Sequence, residues 1–449
     1  MKFDYDLFVI GAGPGGLAAA KQVAGYSARV AIAEQDLVGG TCVIRGCIPE
    51  KLMSFAAGFS EESQDAAGYG WKQEKTRFDW QKFIAAKEQE ILRLANVHLQ
   101  SLQQVGVELI QAHATFSDAH TLEVAGRLIT ADKILIAVGA KAIKADIPGI
   151  EYAITSHELF NFQQQPKHIA VIGSHYIAVK LAGIMNNLGS QITQITEEDH
   201  ILSAFDEDIS RAVTEGMTKR GIQILTRTKI KEIKSVGGEL HVILPKDSQY
   251  PLIVDTILDA TDRIPNISNL ALEKAGVKMA HNAIWVDEYN RTTQSNIFAV
   301  GDCINQFNFT PVAIAQGRAV ADTQFGNKPR TICYECIPAT VSSHPEAATV
   351  GLSEAQACEK LGDSVRCYRS QFRPLLHSLA KRDEQTLMKL VVDNNSGRVL
   401  GAHMVGEGAI DIIQCLALAI RMGVNKKDFD ATIGIHPSIA EEFFCLNEI

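Results

Sequence analysis

A glycine-rich turn near the start of the chain is the feature that most constrains its fold. An apolar strand is expected at Asp6–Ile10, the segment 11–16 reads GAGPGG, and a helix is expected to follow. Gly11, Gly13 and Gly16 have the spacing that lets a chain turn tightly from strand to helix and bring its backbone N–H groups against a pyrophosphate. The sequence therefore predicts a dinucleotide-binding unit in this part of the chain.

Strand and helix patterns alternate through the first half of the chain, which is typical of doubly wound α/β sheets. A strand expected at Arg29–Ala33 ends beside Glu34, a carboxylate placed to accept a ribose hydroxyl. A helical insertion is expected around Trp80–Gln103, and a second strand–turn–helix begins at His168–Gly173. The predicted fold class is α/β, with two Rossmann-like dinucleotide-binding domains.

Two cysteines, Cys42 and Cys47, follow the glycine turn and are separated by four residues. The flanking glycines, the polar Thr41 and the helix-forming segment Lys51–Met53 indicate a helix whose N-terminal end lowers the pKa of a thiol. A thiol pair beside a bound dinucleotide indicates disulfide redox chemistry.

Composition narrows the class of protein. At 449 residues the chain is long enough for roughly three domains. Its net charge of -9 argues against nucleic acid or an anionic membrane as a partner. The first residues enter a strand without a leader pattern, and no apolar run approaches the roughly 18 residues that a membrane-spanning helix needs. We therefore expect a cytoplasmic protein.

The sequence assigns no role to the remaining cysteines. The chain has nine cysteines in all, and an odd number argues against a secreted disulfide framework. Cys333 and Cys336 have the spacing of a metal or redox pair, but no second pair or histidine cluster completes a zinc site. Cys445 is a single thiol near the C-terminus. The sequence predicts no metal site and leaves the roles of these three cysteines open.

Four later segments carry a family resemblance. They are Ile134–Gly139, Ile297–Asp302, Thr310–Ala313 and His436–Glu442. Together with the segment 39–49, which reads GGTCVIRGCIP, they resemble the pyridine nucleotide-disulfide oxidoreductases, and among these the glutathione reductases of bacteria and plants. The resemblance runs almost from end to end.

The resemblance implies bound FAD and an order of domains. Residues 1–145 and 263–328 would form the FAD-binding domain, 146–262 an NAD(P)-binding-like domain, and 331–449 an α+β C-terminal dimerisation domain that makes a homodimer. The residues implied to bind FAD are Gly11, Gly13, Gly16, Glu34, Thr41, Lys51, Gly139, Asp302 and Thr310.

The resemblance also implies a division of chemical roles. Cys47 would face the flavin, and Cys42 would exchange with the substrate. His436 of the partner subunit would handle protons, while Glu441 would orient its imidazole. Independently of the family, a thiol exchange needs a base that gains and returns a proton near neutral pH, and histidine suits that range.

The second nucleotide turn departs from the family. The segment 173–178 reads GSHYIA, so His175 stands where the family has a glycine that lets the backbone approach the pyrophosphate. Where NADPH-dependent relatives place two arginines on the ribose 2′-phosphate, this chain has Glu197 and Ser203. Because Glu197 would repel a phosphate, the sequence favours NADH over NADPH, with weak binding.

A second departure consists of two exchanged charges. The family's lysine after the Cys-x-Pro turn is Glu50 here, and the family's glutamate on the second nucleotide helix is Lys180. Lys180 lies four residues after Tyr176, which resembles the ring that gates the nicotinamide pocket. Because two partly buried, unpaired charges would be costly, we expect Glu50 and Lys180 to form an ion pair beside the flavin.

The leading hypothesis is a homodimeric FAD enzyme that moves electrons between a glutathione-like thiol or disulfide and the Cys42–Cys47 pair. The altered second turn leaves open a nicotinamide-independent dithiol oxidase or disulfide reductase with another electron partner. The turn Gly46–Pro49 leaves open an enzyme like dihydrolipoamide dehydrogenase. A redox-silent flavoprotein is the fourth hypothesis, and the retained cysteines, His436 and Glu441 argue against it.

Overall fold

Helices and strands alternate along most of the computed structural model, which describes residues 2–72, 77–245 and 250–446. The α-helices are α1 (Pro14–Ala24), α2 (Gly40–Ile44), α3 (Cys47–Gly68), α4 (Trp80–Gln104), α5 (Ser156–Leu159), α6 (Tyr176–Asn187), α7 (Glu207–Lys219), α8 (Thr310–Phe325), α9 (Glu354–Leu361), α10 (Leu375–Ala380), α11 (Ala409–Arg421) and α12 (Lys426–Ala431). Short 3-10 helices lie at Ile150–Tyr152, Gly301–Ile304, Gly362–Ser364 and Ala440–Phe444.

The strands are β1 (Tyr5–Ile10), β2 (Val30–Glu34), β3 (Glu108–Gln111), β4 (Ala114–Phe116), β5 (Thr121–Val124), β6 (Arg127–Ile136), β7 (Ala140–Ile143), β8 (His168–Ile172), β9 (Gln191–Ile195), β10 (Gln223–Leu225), β11 (Glu232–Val236), β12 (Glu239–Ile243), β13 (Leu252–Val254), β14 (Thr256–Asp259), β15 (Asp262–Pro265), β16 (Met279–Ala280), β17 (Ala283–Ile284), β18 (Ile297–Ala299), β19 (Ala339–Val341), β20 (Ala347–Gly351), β21 (Val365–Phe372), β22 (Thr386–Asp393) and β23 (Val399–Val405).

The chain divides into two compact units. The first comprises Met1–Glu50, Gln81–Ile143 and Asp262–Cys333, and the second comprises Lys51–Trp80, Lys144–Thr261 and Tyr334–Ile449. Most of α3 and the loop after it, which the sequence places in the first domain, thus group with the second unit. The division into three domains stays a prediction.

A parallel sheet forms the centre of the first unit. Its strand order is β3-β2-β1-β6-β18, and the antiparallel strands β5 and β4 extend from the first half of β6. The residues of β1 from Leu7 to Ile10 are all buried, as expected for a parallel strand covered on both faces. The order matches a Rossmann sheet, so the glycine turn after β1 lies at the carboxyl edge where such sheets bind dinucleotides.

Two helices of the first unit pack closely and fix the start of α8 relative to the glycine turn. A Cβ atom on Gly317 of α8 would come within 2.3 Å of the carbonyl oxygen of Gly15 in α1, so only glycine allows this approach. The Tyr26 hydroxyl donates to the Asp322 carboxylate at 2.8 Å, which joins the far ends of the two helices. Thr310, the first residue of α8, is thereby held beside the turn.

The second unit contains another parallel sheet and an antiparallel one. The parallel sheet has the order β10-β9-β8-β14, and a three-stranded antiparallel sheet, β11-β12-β13, belongs to the same region. The C-terminal part has the five-stranded antiparallel order β19-β20-β23-β22-β21, against which α11 packs through a shared apolar core. The predicted α/β class, with two Rossmann-like sheets and an α+β C-terminal part, is confirmed.

A buried lysine joins these two regions of the second unit. Lys389 of β22 is 1% exposed, and its ammonium lies 2.7 Å from each of the carboxylates of Asp206, Asp208 and Glu354. A lysine is tolerated in a protein interior when its charge is paired in this way. The contact connects the start of α7 with the antiparallel sheet.

Candidate active site

The glycine turn after β1 forms a cradle with one open side. Gly11 has a φ of +101°, and a Cβ there would lie 2.5 Å from the carbonyl oxygen of Ala137, while a Cβ on Gly16 would lie 2.0 Å from the carbonyl oxygen of Gly11. A Cβ on Gly13 would instead meet no atom closer than 3.9 Å, the Cα of Gly40. The protein therefore leaves free the space beside the middle glycine, where a pyrophosphate approaches the backbone in dinucleotide folds.

Backbone donors point into this cradle. Helix α1 begins after Gly13 without a side-chain cap and has no acidic residue in its first turn, so its N-terminal N–H groups and its dipole favour an anion. Glu34 supports the turn, because its two carboxylate oxygens accept the N–H groups of Ala12 at 2.8 Å and Asp36 at 2.9 Å. Each oxygen keeps a second lone pair and can still accept a hydrogen bond from a ribose hydroxyl. This role of Glu34 stays a prediction.

The two cysteines lie against the same turn. Cys42 belongs to the short helix α2, and Cys47 is the first residue of α3; both are free thiols. Thr310 places its hydroxyl 3.6 Å from the sulfur of Cys47 and also hydrogen-bonds Cys42. A Cβ on Gly40 would come within 2.6 Å of the Cα of Gly13, so this close approach depends on glycine. The structure thus brings the predicted thiol pair and Thr310 together beside the cradle.

The expected lowering of thiol pKa by a helix is wrong for Cys42. The hydrogen bond between the thiols of Cys42 and Cys47, together with burial, raises the pKa of Cys42 above its ordinary value. The physical reason is position, since Cys42 lies within the five-residue helix α2 and Cys47 stands at the start of α3. The hydrogen bond to Cys47 and burial thus favour the protonated form of Cys42 while both thiols are reduced.

Asp302 lies in the 3-10 helix that follows β18. Burial raises the pKa of its carboxyl group, and the guanidinium of Arg263 lies 4.0 Å away. Arg263 also donates to the carbonyl oxygen of Ala140 at 2.8 Å. Gly139 has a φ of +65°, and its carbonyl oxygen accepts the N–H of Asn266. Sequence analysis missed Arg263, because no local spacing connects it with Asp302.

Two other predicted FAD ligands have structural contacts of their own. The carbonyl oxygen of Thr41 accepts the N–H of Arg45 at 3.0 Å, which closes the turn of α2. The ammonium of Lys51 lies 5.5 Å from the ring centroid of Phe55, on the part of α3 that belongs to the second unit. Their roles toward FAD stay predictions. The open cradle, the free helix N-terminus and the half-buried Asp302 together fit a bound dinucleotide such as FAD.

We expect Gly16→Ala to weaken FAD binding strongly. The added methyl group would overlap the carbonyl oxygen of Gly11 and force the turn apart. Overpacking of this kind costs about 1–3 kcal/mol, which corresponds to about a 5- to 150-fold weaker affinity. The measurement is FAD bound per mole of purified protein. Gly58→Ala on α3, whose new Cβ would meet nothing closer than 3.9 Å, is the matched control and should keep its FAD.

The second nucleotide turn keeps the backbone shape of the first. His175 has φ −72° and ψ 163°, close to the φ −77° and ψ 179° of Gly13. Its imidazole is exposed and lies 4.2 Å, centroid to centroid, from the ring of Tyr176. Lys180 places its ammonium 5.1 Å from the Tyr176 ring, so these two side chains share one face of α6 as expected. The substitution of glycine by histidine therefore adds a side chain without changing the turn.

The expected Glu50–Lys180 ion pair stays a prediction. Glu50 belongs to the first unit and Lys180 to the second.

Glu197 and Ser203, expected where relatives have arginines, are exposed in the loop that follows β9.

His436 and Glu441 form a pair in the second unit. The Nδ1 atom of His436 lies 3.0 Å from a carboxylate oxygen of Glu441, and the imidazole is 82% exposed. The backbone N–H of Ser438 and the imidazole hold the pKa of Glu441 below its usual range. The carboxylate therefore stays ionised and fixes the orientation of the ring, which leaves Nε2 directed away from Glu441. This geometry suits a histidine that transfers protons to a group outside its own pair.

The family model for pyridine nucleotide-disulphide oxidoreductases matches residues 5–317, and the model for the dimerisation domain of the same proteins matches residues 337–444. The chain belongs to this family. It is accordingly an FAD-dependent oxidoreductase, and the predicted family membership and enzyme class are confirmed.

Individual relatives agree over almost the full length of the chain. It is 54% identical to a glutathione reductase of Nostoc sp. over 455 aligned positions, which cover 99% of each chain. It is 43% identical to a glutathione reductase of Burkholderia cepacia, with 99% of each chain covered. Among solved structures, the HOCl-induced flavoprotein disulfide reductase RclA from Escherichia coli superposes with a TM-score of 0.89 at 27% identity, covering 98% of this chain and 99% of the other.

Two further features bear on the sequence predictions. Among the described residues, no helix is both long and apolar enough to cross a membrane. In the same parts of the chain, no cluster of three or more histidine, cysteine, aspartate or glutamate side chains could hold a metal ion.

Proposed function

We propose that this enzyme reduces a small glutathione-like disulfide, using the Cys42–Cys47 pair as the exchanging dithiol. One observation carries the proposal: both thiols contact Thr310, and α2, which contains Cys42, begins against Gly13 of a cradle that fits FAD. The identity of 54% to a protein named glutathione reductase supports the choice of substrate.

The thiol–disulfide exchange uses Cys42, Cys47 and His436. Cys42 gives its proton to His436 of the partner subunit as its sulfur attacks one sulfur of the substrate disulfide, which forms a mixed disulfide and releases one thiolate. Cys47 then attacks the sulfur of Cys42, which releases the second substrate thiol and leaves a Cys42–Cys47 disulfide. His436 of the partner subunit would protonate the first leaving thiolate. Bound FAD, once reduced by its electron donor, would supply the electron pair that, with two protons, returns the disulfide to the dithiol.

A homodimer is part of this proposal. His436 is flanked by Ile433 and Ile435, whose side chains are 94% and 81% exposed, and Leu418 and Met422 of the same unit are also exposed. Large apolar side chains next to a polar pair are typical of a surface that another protein covers. The match to the dimerisation domain supports a second copy of this chain as that partner.

A cytoplasmic location, supported by the odd number of cysteines, completes the proposal.

We infer that NADH is the better electron donor. The exposed Glu197 and its neighbours Glu198 and Asp199 give the loop after β9 a negative charge where a 2′-phosphate would need cations. The guanidinium of Arg227 lies 3.8 Å from the carboxylate of Asp199 and is therefore already paired with this loop. A carboxylate in this loop suits the free 2′-hydroxyl of NADH. His175 stands where the family has the glycine that a pyrophosphate approaches, so its added side chain would keep the affinity low.

An anaerobic titration tests the donor. We expect NADH to bleach the flavin at lower concentration than NADPH. In Glu197→Arg/Ser203→Arg the preference should shift toward NADPH by about 100-fold, since two charge-assisted hydrogen bonds supply about 3 kcal/mol. Glu239→Arg, an exposed charge change on β12, is the control and should leave the preference unchanged. A wild-type enzyme that prefers NADPH would contradict the inference.

The altered second turn also supports a second candidate, a flavin enzyme that uses no nicotinamide. In that case neither nucleotide would bleach the flavin, whereas reduced glutathione or dihydrolipoamide would. The same titration therefore separates the two candidates, and bleaching by dihydrolipoamide alone would favour a dithiol of that kind as substrate.

A further inference from the structure

The segment between the two thiols carries a charged side chain with no role in the chemistry above. Arg45 ends the short helix α2, and its side chain is 24% exposed. Its guanidinium forms an ion pair with the carboxylate of Asp36, the second residue after β2. The pair joins the loop that contains the redox cysteines to the carboxyl edge of the parallel sheet.

Asp36 is itself firmly placed. Its N–H donates to Glu34 at 2.9 Å, and its carbonyl oxygen accepts the side-chain amide of Gln111 at 2.7 Å. One carboxylate oxygen, Oδ1, accepts the N–H of Leu37 at 2.8 Å, which leaves Oδ2 for Arg45. Since Glu34 also accepts the N–H of Ala12, a continuous series of hydrogen bonds runs from the glycine turn through Glu34 and Asp36 to Arg45.

The geometry points to Arg45 as a positioning residue that acts through Asp36 and sets the redox equilibrium of the Cys42–Cys47 pair. This inference rests on the proposed function, because it concerns the same two thiols. When the disulfide opens, the two sulfurs separate, and the freedom of the intervening loop decides how far Cys42 can move from Cys47. A tethered loop keeps the effective concentration of one thiol near the other high, which favours the disulfide.

Loss of the tether should therefore shift the pair toward the dithiol. We expect Arg45→Met to change the equilibrium constant by about tenfold, which is about 30 mV for a two-electron couple. The measurement equilibrates the FAD-loaded enzyme with mixtures of reduced and oxidised dithiothreitol and counts free thiols at positions 42 and 47 by alkylation and mass spectrometry. In this exchange dithiothreitol gives two electrons and two protons to the disulfide and closes to its own cyclic disulfide.

A second variant separates a tether from a simple effect of positive charge on the thiols. Asp36→Asn keeps the oxygen that accepts the Leu37 N–H but replaces Oδ2 with an amide group that repels the donors of Arg45. A tether predicts that Asp36→Asn and Arg45→Met shift the equilibrium in the same direction. If Arg45 acted only by stabilising a thiolate, Asp36→Asn would free its charge, and the two variants would shift the equilibrium in opposite directions.

Two more variants complete the test. Asp36→Arg/Arg45→Asp, which reverses the pair, should recover at least half of the lost preference for the disulfide. Arg93→Met, which breaks an exposed pair with Glu90 on α4, should leave the equilibrium unchanged. Shifts of opposite sign, or less than a twofold change in both Arg45→Met and Asp36→Asn, would overturn the tether alone. A wild-type enzyme that forms no Cys42–Cys47 disulfide in oxidised dithiothreitol would overturn the proposed function and the tether together.

Discussion

Replacement of Cys47 by serine should lower disulfide reductase activity by about 10³-fold or more while FAD stays bound. A hydroxyl group cannot form a disulfide with Cys42, so the mixed disulfide with the substrate has no internal thiol to resolve it. The side chain of Cys47 is exposed and does not belong to a hydrophobic core, so the substitution should leave the fold intact. The measurement is the steady-state rate with glutathione disulfide and the nucleotide that bleaches the flavin.

The matched control is Cys358→Ser, which removes another exposed thiol, on α9, and should keep the wild-type rate. A second readout sharpens the result. With a labelled disulfide, Cys47→Ser should accumulate the label on Cys42, whereas Cys42→Ser should not be labelled at that site. If Cys47→Ser retained more than a tenth of the activity, Cys47 could not be the resolving thiol.

His436→Gln should lower turnover by about 10²–10⁴-fold, the range for loss of a general acid–base residue. The amide keeps a similar size and can still hydrogen-bond Glu441, but it cannot carry a proton to a leaving thiolate. Because the imidazole is exposed in the single chain, the substitution should not change the stability of the subunit. Bleaching of the flavin by its electron donor should proceed at the wild-type rate, which places the defect in the thiol exchange.

Glu441→Gln should lower turnover by only about tenfold, because the histidine remains. The variant loses only the carboxylate that orients the imidazole and stabilises its protonated form. Glu441 is ionised in the structure, so the loss in this variant should persist across neutral pH. His241→Gln on β12 is the control for a change of histidine elsewhere in the same unit. A His436→Gln enzyme with wild-type turnover would refute the proton-transfer role.

Much of the fold follows from local sequence. The apolar strand β1, the glycines after it and Pro14 at the start of α1 each act within a few residues, so the sequence alone predicts the strand–turn–helix. The boundaries shift by only a residue or so, since α4 begins at Trp80 as expected and ends at Gln104. The pairing of His436 with Glu441 is similarly local, five residues apart on one short segment.

The contacts that place the chemistry are not local. Thr310 reaches Cys47 only because α8 packs on α1 through glycines, and Arg263 reaches Asp302 across a sheet edge. The raised pKa of Cys42 depends on the hydrogen bond to Cys47 and on burial, neither of which a helix-dipole argument includes.

The sequence by itself predicted the α/β class, the dinucleotide-binding turn and the thiol pair, because backbone conformation and reactive groups are encoded in residue types at short spacing. Only the tertiary structure decided that Arg45 pairs with Asp36, that Lys389 is buried among three carboxylates, and that the pKa of Cys42 is raised. These features depend on which distant side chains meet and on how much water is excluded around them. Packing determines which side chains meet and how much water is excluded, and no short stretch of residues specifies either.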